Sequence, residues 1–161
     1  DWNWYTHGQN VLYWHWSPEY NWEMNFPVGG YNECLITYVM AASSPTHSIK
    51  PEVYHQGWAR NDSIKTDRVF YDLPTVLDHF EGNNDPVGPL FWAHYSWLGL
   101  DPRGLKDKYA DYIDNAYYVV ESKKESILFQ LDGVLNDSAL NALKLHKQNL
   151  IEKEKEAGKS P

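Results

Sequence analysis

The sequence predicts an all-α fold with long irregular loops. Two segments, residues 31–42 and 90–98, are apolar on almost every side, which is typical of helices buried in a core. No segment alternates apolar and polar residues for long enough to predict a β-sheet. The 161 residues are the length of one domain, and such a chain can bury a substantial core.

The N-terminal part predicts one buried helix after an irregular stretch. Trp2, Tyr5 and Gln9 recur at helical spacing, so the first ten residues predict the end of a helix. Prolines and glycines interrupt residues 13–30, which predicts irregular structure there. Residues 31–42 then predict a helix that a Ser-Ser-Pro run ends.

The middle of the chain predicts two more helices separated by a loop. Pro51 follows Ser48 at a position suited to the first turn of a helix, so a short helix is expected through Ala59. Residues 61–89 are rich in Asp, Asn, Gly and Pro and predict mostly loop. The apolar segment 90–98 follows this loop.

The C-terminal part predicts two helices of different character. A turn at residues 101–104 is expected to start a helix that runs to about residue 120. Asp137 is expected to cap an amphipathic helix that ends at Gly158. Residues 137–157 are either a solvated packing helix or a contact for a partner helix.

The composition changes near residue 120. Phe129 is the only one of the 25 aromatic residues that lies beyond that point, and residues 1–120 carry the whole net charge of −8. An acidic, aromatic region favours a neutral ligand over a polyanion, which argues against a nucleic acid partner. We therefore expect a functional segment at 1–120 and a divergent helical tail at 121–161.

Phosphate, metal and membrane functions lack their usual sequence signals. No glycine-rich phosphate loop is present, and none of the seven histidines pairs with another at the spacing of common zinc motifs. No apolar run reaches the roughly 18–20 residues of a membrane span.

Cys34 is the single cysteine, so no internal disulfide is expected. We expect no cofactor and no bound metal. The start at Asp1 predicts either a removed leader or a longer parent protein.

Residues 13–33 combine aromatic and polar side chains as sugar-binding clefts do. Indole and phenol rings stack on the C–H faces of sugars, and polar groups beside them bind the hydroxyls. The alternatives are that the aromatic residues belong to the core and that the asparagine caps a helix. The sugar-binding candidates in this segment are Trp14, His15, Trp16, Trp22, Tyr31 and Asn32.

A second group of candidates lies on the apolar segment 90–98. Trp92, His94 and Tyr95 lie close together on a predicted helix, for which packing in the core is the stronger alternative. Arg60 and Arg103 are further candidates, each of which either binds a sugar hydroxyl or forms an ordinary ion pair.

Five short motifs follow one another between residues 13 and 105. They are Tyr-Trp-His-Trp-Ser-Pro (13–18), Gly-Tyr-Asn-Glu (30–33), Ala-Ala-Ser-Ser-Pro-Thr-His (41–47), Gly-Pro-Leu-Phe-Trp-Ala-His-Tyr-Ser (88–96) and Leu-Gly-Leu-Asp-Pro-Arg-Gly-Leu (98–105). Together they resemble the bacterial glucoamylase-like glycoside hydrolase family, which includes endo-β-1,2-glucanases. The resemblance covers about residues 1–115.

The resemblance implies a fold, a mechanism and a location. The fold of that family is an α/α toroid of six helical hairpins, and this chain resembles only its middle, so an incomplete toroid is expected. The resemblance also implies an inverting glycosidase that acts on a β-linked glucan and is periplasmic or secreted. The segment from Glu121 onward does not resemble the continuation of the family.

The resemblance places a catalytic carboxylate at Glu33, in the motif Gly-Tyr-Asn-Glu. Glycoside hydrolysis needs one carboxylic acid to protonate the leaving oxygen, and an inverting enzyme needs a second carboxylate roughly 6.5–9.5 Å away to activate water. Glu33 is therefore the expected general acid, and the alternative is a glutamate that completes a helix cap. Four other carboxylates fit loop or surface positions better than a catalytic one: Asp1, Glu19, Glu23 and Asp85.

Three functions are consistent with these observations. The first is a glycoside hydrolase that acts on a β-linked glucan with Glu33 as its acid. The alternative is a non-catalytic carbohydrate-binding or remnant domain, since no second catalytic carboxylate is evident. The third is a metal-dependent hydrolase, for which the number of histidines is the only motivation.

Overall fold

The computed structural model describes residues 1–79 and 88–132, with the backbone alone for 128–132, and six single positions between 141 and 152. The chain divides into two compact units, Asp1–Lys123 and Lys124–Pro161. All described residues of the hydrophobic core belong to the first unit. The helix expected between Asp137 and Gly158 lies outside the described residues, apart from those six positions.

Helices supply most of the regular structure, as the sequence predicts. The two apolar segments both form helices, and a π-helix stands where the short helix after Pro51 was expected. In the described part of the chain the helices are α1 (Leu35–Ser43), α2 (Leu90–His94) and α3 (Tyr112–Asp132), with 3-10 helices at Trp4–Thr6 and Tyr95–Leu98 and the π-helix at Val53–Trp58. None of them is both long and apolar enough to cross a membrane.

Two short antiparallel hairpins make the fold mostly helical rather than all-α, so the all-α prediction was wrong in this respect. Strands of two residues are too short to show an alternating pattern in the sequence. The first hairpin encloses a long loop, residues 14–26, which we call the 14–26 loop. The hairpins are β1 (Leu12–Tyr13) with β2 (Pro27–Val28), and β3 (Val69–Phe70) with β4 (Leu73–Pro74).

The prediction that the first ten residues form the end of a helix was wrong. Within the first ten residues only Trp4–Thr6 is helical, and that turn is of the 3-10 type. His7 adopts the left-handed conformation, with φ of 49°, and Gly8 follows with φ of 72°. Two successive residues with positive φ end a helix, because the hydrogen-bonding direction of the backbone reverses there.

The helix expected after residue 104 begins later, at Tyr112. In the intervening loop the carboxylate of Asp107 accepts hydrogen bonds from the backbone N–H groups of Tyr109 (2.8 Å) and Ala110 (3.0 Å). A side chain that satisfies backbone donors in this way stabilises a turn in place of a helix. Helix α3 then continues through residues 120 and 121, and the predicted boundary between segments at that point stays a prediction.

One face of α1 packs into the core and holds the first hairpin. Leu35, Tyr38 and Ala41 recur every three residues along that face and are buried. The hydroxyl of Tyr38 accepts a hydrogen bond from the N–H of Leu12 (3.0 Å) and donates one to the carbonyl of Val28 (2.7 Å). Leu12 lies opposite Val28 in the hairpin, so one side chain ties α1 to both strands.

We expect Tyr38→Phe to lower the free energy of unfolding by about 2 kcal/mol, because it leaves a buried donor and a buried acceptor without partners. Tyr38 is 0% exposed, so water cannot replace the lost hydroxyl. The measurement is urea denaturation followed by circular dichroism. Tyr20→Phe, at a side chain that is 66% exposed, is the matched control and should change stability little. Equal stabilities of the two variants would contradict this account.

Candidate active site

A cavity of about 710 Å³ lies between the first hairpin, the start of α1 and helix α2. The 14–26 loop and β2 supply one wall, and the turn before α1 supplies another. Aromatic rings, one carboxylate, one amide and one guanidinium all reach the cavity. Its described lining residues are Trp14, Met24, Phe26, Pro27, Val28, Gly29, Asn32, Glu33, Arg60, His79 and Trp92.

Glu33 lies in the turn that leads into α1, two residues before the first helical position, and it is half-buried. The hydroxyl of Ser96 donates a hydrogen bond to the carbonyl of Glu33 (2.9 Å) and accepts one from the N–H of Ile36 (3.1 Å). The main chain on both sides of the turn is therefore held by one residue of the 3-10 helix that follows α2. No described residue donates a hydrogen bond to the carboxylate of Glu33, so the helix-cap alternative finds no support.

Asn32 forms an Asx turn before α1 and does not cap the helix, so the helix-cap alternative considered for it was wrong. Its Oδ1 accepts a hydrogen bond from the N–H of Cys34 (2.9 Å), which is itself the N-cap residue and forms no side-chain cap hydrogen bond. The same residue lines the cavity. This hydrogen bond uses the oxygen of the amide, so its NH₂ group is the part that a sugar hydroxyl would contact.

The charge of Glu33 acts on its neighbour. Burial, and after it the negative charge of Glu33, raises the pKa of the Cys34 thiol to about 12. The thiol therefore stays protonated at neutral pH and has little nucleophilic character. A catalytic thiolate at Cys34 is therefore not expected.

Arg60 reaches the cavity from the end of the π-helix. Its φ is 47°, and Asn61 and Asp62 follow in the same left-handed region. A π-helix and a run of positive φ values are both unusual, and such costs are found mostly at functional sites. The guanidinium Nη2 of Arg60 lies 3.4 Å from the carbonyl oxygen of Gly29 and donates to it.

Gly29 permits this arrangement because it has no side chain. A Cβ at this position would lie 2.6 Å from the carbonyl oxygen of Gly57 and 3.0 Å from Nε of Arg60. The carbonyl of Gly57 belongs to the π-helix and is a backbone atom that has little freedom to move. The backbone just after β2 and the π-helix therefore pack at a distance that only glycine allows.

His79 and Trp92 form the wall opposite the hairpin. The imidazole of His79 is 6% exposed and meets the ring of Trp92 edge to face, with 4.9 Å between ring centroids. Gly88, with φ of 57°, passes so close that a Cβ there would lie 2.5 Å from the indole of Trp92. The orientation of this indole is therefore determined by two neighbours, as a stacking surface requires.

Trp16 and Trp22 form part of a separate aromatic cluster with Trp4 and His7. The ring of Trp4 lies 4.9 Å from Trp16 and 5.0 Å from Trp22, and the imidazole of His7 stacks on Trp22 at 4.7 Å. This cluster packs the 14–26 loop against the 3-10 helix Trp4–Thr6 and the residue that follows it. The sugar-binding role expected of these two indoles stays a prediction, because neither lines the cavity.

The other predicted residues lie in several environments. Tyr31 is buried in the core, and burial raises the pKa of its hydroxyl to about 12. His15 and His94 are exposed and do not line the cavity. Tyr95 is 59% exposed and lines a smaller, adjoining cavity.

Arg103 forms an ion pair rather than part of the cavity. Its Nη2 lies 2.7 Å from Oδ2 of Asp101. Hydrogen bonds from the side chain and from the backbone N–H of Arg103 lower the pKa of the Asp101 carboxyl to about 2. Both side chains are exposed, so the pair shapes a surface turn. Of the other carboxylates considered, Asp1, Glu19 and Glu23 are exposed and outside the cavity, and Asp85 lies outside the described residues.

Sequence reasoning did not predict six of the described lining residues: Met24, Phe26, Pro27, Val28, Gly29 and His79. The first four lie in or beside the aromatic segment, but no local pattern separates them from its other members. Gly29 was recognised only as a break in regular structure. His79 gave no signal, because a single histidine in a loop has no motif around it. Among the described residues no group of three or more His, Cys, Asp or Glu is arranged to hold a metal ion.

A cavity with aromatic faces, one carboxylate and a few polar groups is typical of carbohydrate-active proteins. Residues 25–126 match the model of the Glycoamylase family, which is described as "Putative glucoamylase". The chain belongs to this family, which confirms the resemblance that the five motifs indicated.

The similar proteins include enzymes of β-1,2-glucan. An endo-β-1,2-glucanase from Chitinophaga pinensis, in complex with sophorotriose and glucose, is 53% identical, with a TM-score of 0.76 over 81% of this chain and 31% of its own. An exo β-1,2-glucooligosaccharide sophorohydrolase (non-reducing end) from Parabacteroides distasonis is 38% identical over 71% of this chain and 18% of its own length. This chain thus spans less than a third of these relatives and corresponds to part of a glucoamylase-like structure.

We expect Gly29→Ala to destabilise the protein by about 1–3 kcal/mol, because its methyl group would overlap the carbonyl of Gly57. Thermal or urea unfolding measures the loss. Gly99→Ala is the matched control, since its Cβ approaches only the Cδ1 atom of Ile36, which can turn aside. A Gly29→Ala variant as stable as Gly99→Ala would show that the packing against the π-helix is looser than described.

We expect Cys34 to resist alkylation by iodoacetamide at pH 8 in the folded protein, since the thiol is buried and its raised pKa leaves almost no thiolate. Mass spectrometry before and after addition of urea measures the modified fraction. The unfolded chain should react fully within a time in which the folded chain does not. Equal rates would contradict the described environment of this thiol.

Proposed function

We propose that this chain is the substrate-binding part of a glycoside hydrolase that acts on β-1,2-linked glucan, with Glu33 as general acid. The observation that carries the proposal is the place of Glu33. Glu33 is half-buried, its carboxylate has no described hydrogen-bond donor, and the residue lines a cavity together with Trp14 and Trp92. A general acid needs a position from which it can reach the glycosidic oxygen.

The other lining residues would bind the sugar rings. The rings of Trp14, Phe26 and Trp92 offer flat apolar faces for the C–H sides of glucosyl units. The amide of Asn32 and the guanidinium of Arg60 supply donors for hydroxyl groups. Loss of each such donor would weaken binding and leave the chemistry of the acid in place.

The relatives support the substrate class. The Chitinophaga pinensis endo-β-1,2-glucanase, which holds sophorotriose and glucose, shares 53% of aligned residues with this chain. The β-1,2-glucanase from Parabacteroides distasonis is 34% identical, with a TM-score of 0.66 over 75% of this chain. By the resemblance of the motifs to the bacterial family we also propose an inverting mechanism and a periplasmic or secreted location.

One observation favours the alternative of a carbohydrate-binding domain without catalysis. Among the described residues that line the cavity, Glu33 supplies the only carboxylate. Inverting hydrolysis needs a second carboxylate to activate water. Under the alternative, the same cavity binds glucan and no bond is cleaved.

We expect Glu33→Gln to reduce cleavage of linear β-1,2-glucan by at least about 100-fold, because general acid catalysis contributes on that order. The assay measures new reducing ends, with the complete polypeptide that carries this sequence. Oligosaccharide binding, followed by tryptophan fluorescence, should persist in the variant, since the aromatic walls are unchanged. Glu23→Gln removes an exposed carboxylate outside the cavity and is the matched control.

The outcomes separate the two functions. Turnover by the wild type that falls in Glu33→Gln and persists in Glu23→Gln supports the hydrolase. Turnover that survives Glu33→Gln removes the acid from its assigned role. Binding of β-1,2-linked oligosaccharides without any turnover by the wild type supports the carbohydrate-binding alternative.

A further inference from the structure

Helix α1 receives no cap from the residues directly before it. The N-cap residue, Cys34, forms no side-chain cap hydrogen bond, and Oδ1 of Asn32 bonds the N–H of Cys34 rather than that of a helical residue. The first N–H groups of a helix have no partner within the helix and need one from outside it. A helix start without such partners frays, and Glu33 lies just before this one.

A residue distant in the sequence supplies a partner to this helix start. The hydroxyl of Ser96 accepts a hydrogen bond from the N–H of Ile36 (3.1 Å), the second residue of α1, and donates one to the carbonyl of Glu33 (2.9 Å). Ser96 is 2% exposed, so water does not compete for either bond. One side chain thus holds both the helix start and the main chain of the candidate acid.

Ser96 also connects the turn that carries Glu33 with the indole of Trp92. Trp92 belongs to α2, and the 3-10 helix that contains Ser96 follows α2 without a break. Trp92 and Glu33 both line the cavity. The two hydrogen bonds of the Ser96 hydroxyl therefore fix the main chain of the acid relative to the helix that carries this aromatic ring.

We propose that Ser96 is a positioning residue for Glu33, which keeps the acid at a fixed distance from a sugar ring that stacks on Trp92. This proposal rests on the function proposed above. Proton transfer to a glycosidic oxygen requires the acid within hydrogen-bond reach, roughly 2.6–3.2 Å. A displacement of about 1 Å can lower a rate on the order of 100-fold. Ser96 is not among the described residues that line the cavity, so it acts through Glu33.

The test compares Ser96→Ala with Ser122→Ala in the complete polypeptide that carries this sequence. Ser122 is 1% exposed and its hydroxyl has no described hydrogen-bond partner, so its variant removes an equally buried oxygen and is the matched control. Cleavage of linear β-1,2-glucan gives kcat and KM, and circular dichroism verifies that each variant is folded at the assay temperature. Ser96→Cys keeps a weaker hydrogen-bonding group of similar size, and it replaces Ser96→Ala in every comparison if Ser96→Ala does not fold.

We expect Ser96→Ala to lower kcat at least about tenfold with little change in KM, because the acid is displaced while Trp92 keeps its contact with His79. Ser96→Cys should lie between Ser96→Ala and the wild type, and Ser122→Ala should match the wild type. Hydrogen exchange of the Ile36 amide should be faster in Ser96→Ala and unchanged in Ser122→Ala.

A double variant separates positioning of the acid from general damage to the protein. If Ser96 acts through the carboxyl group of Glu33, its removal causes no further loss once that group is absent. The residual turnover of Glu33→Gln should therefore be the same with and without Ser96→Ala. A further tenfold loss in the double variant would overturn the proposal, since Ser96 would then act on another part of the site.

The remaining results concern two different claims. An unchanged kcat in Ser96→Ala, while Glu33→Gln loses turnover, overturns the positioning role and leaves the proposed function intact. A loss that appears in KM alone also overturns the positioning role, because the sugar-binding walls would then be what Ser96 supports. Absence of turnover in the wild type overturns the proposed hydrolase, and the positioning role with it.

Discussion

The buried hydroxyl of Tyr38 joins the segments from which the cavity is built. It bonds the backbone of Leu12 in β1 and of Val28 in β2, and the helix that carries it begins two residues after Glu33. Water does not reach these backbone groups, so each would be left unpaired without the hydroxyl. The convergence of the 14–26 loop and Glu33 on one cavity therefore depends on a polar interaction inside the core.

The cavity is also shaped by two glycines that closely approach their neighbours. Gly29 lies against the carbonyl of Gly57, and Gly88 lies against the indole of Trp92. Arg60 adopts a left-handed conformation that costs a non-glycine residue free energy. The close approaches and the unfavourable backbone conformation all lie in short segments around the cavity. This distribution of strain is what a preorganised ligand site would show.

The described residues supply only part of what an inverting glycoside hydrolase needs. The chain supplies aromatic walls, hydroxyl-binding donors and one carboxylate, and it spans only 31% of the Chitinophaga pinensis enzyme. Sugar binding needs only the walls and donors, which the described residues provide together. Inverting cleavage needs two carboxylates at a defined separation, and Glu33 is the one that the described lining contributes. Under the proposed function, binding and turnover therefore have different structural requirements.

The sequence by itself determined the buried helices and predicted an aromatic and polar site with a candidate acid, because each depends on residues that are neighbours in the chain. Apolar segments predict helices, and Gly-Tyr-Asn-Glu is a contiguous motif. Only the tertiary structure decided which aromatic residues line the cavity. Trp14 and Trp16 share one loop, yet Trp14 lines the cavity and Trp16 packs on Trp4. His79 likewise joins the site through contacts between distant segments, which no local pattern encodes.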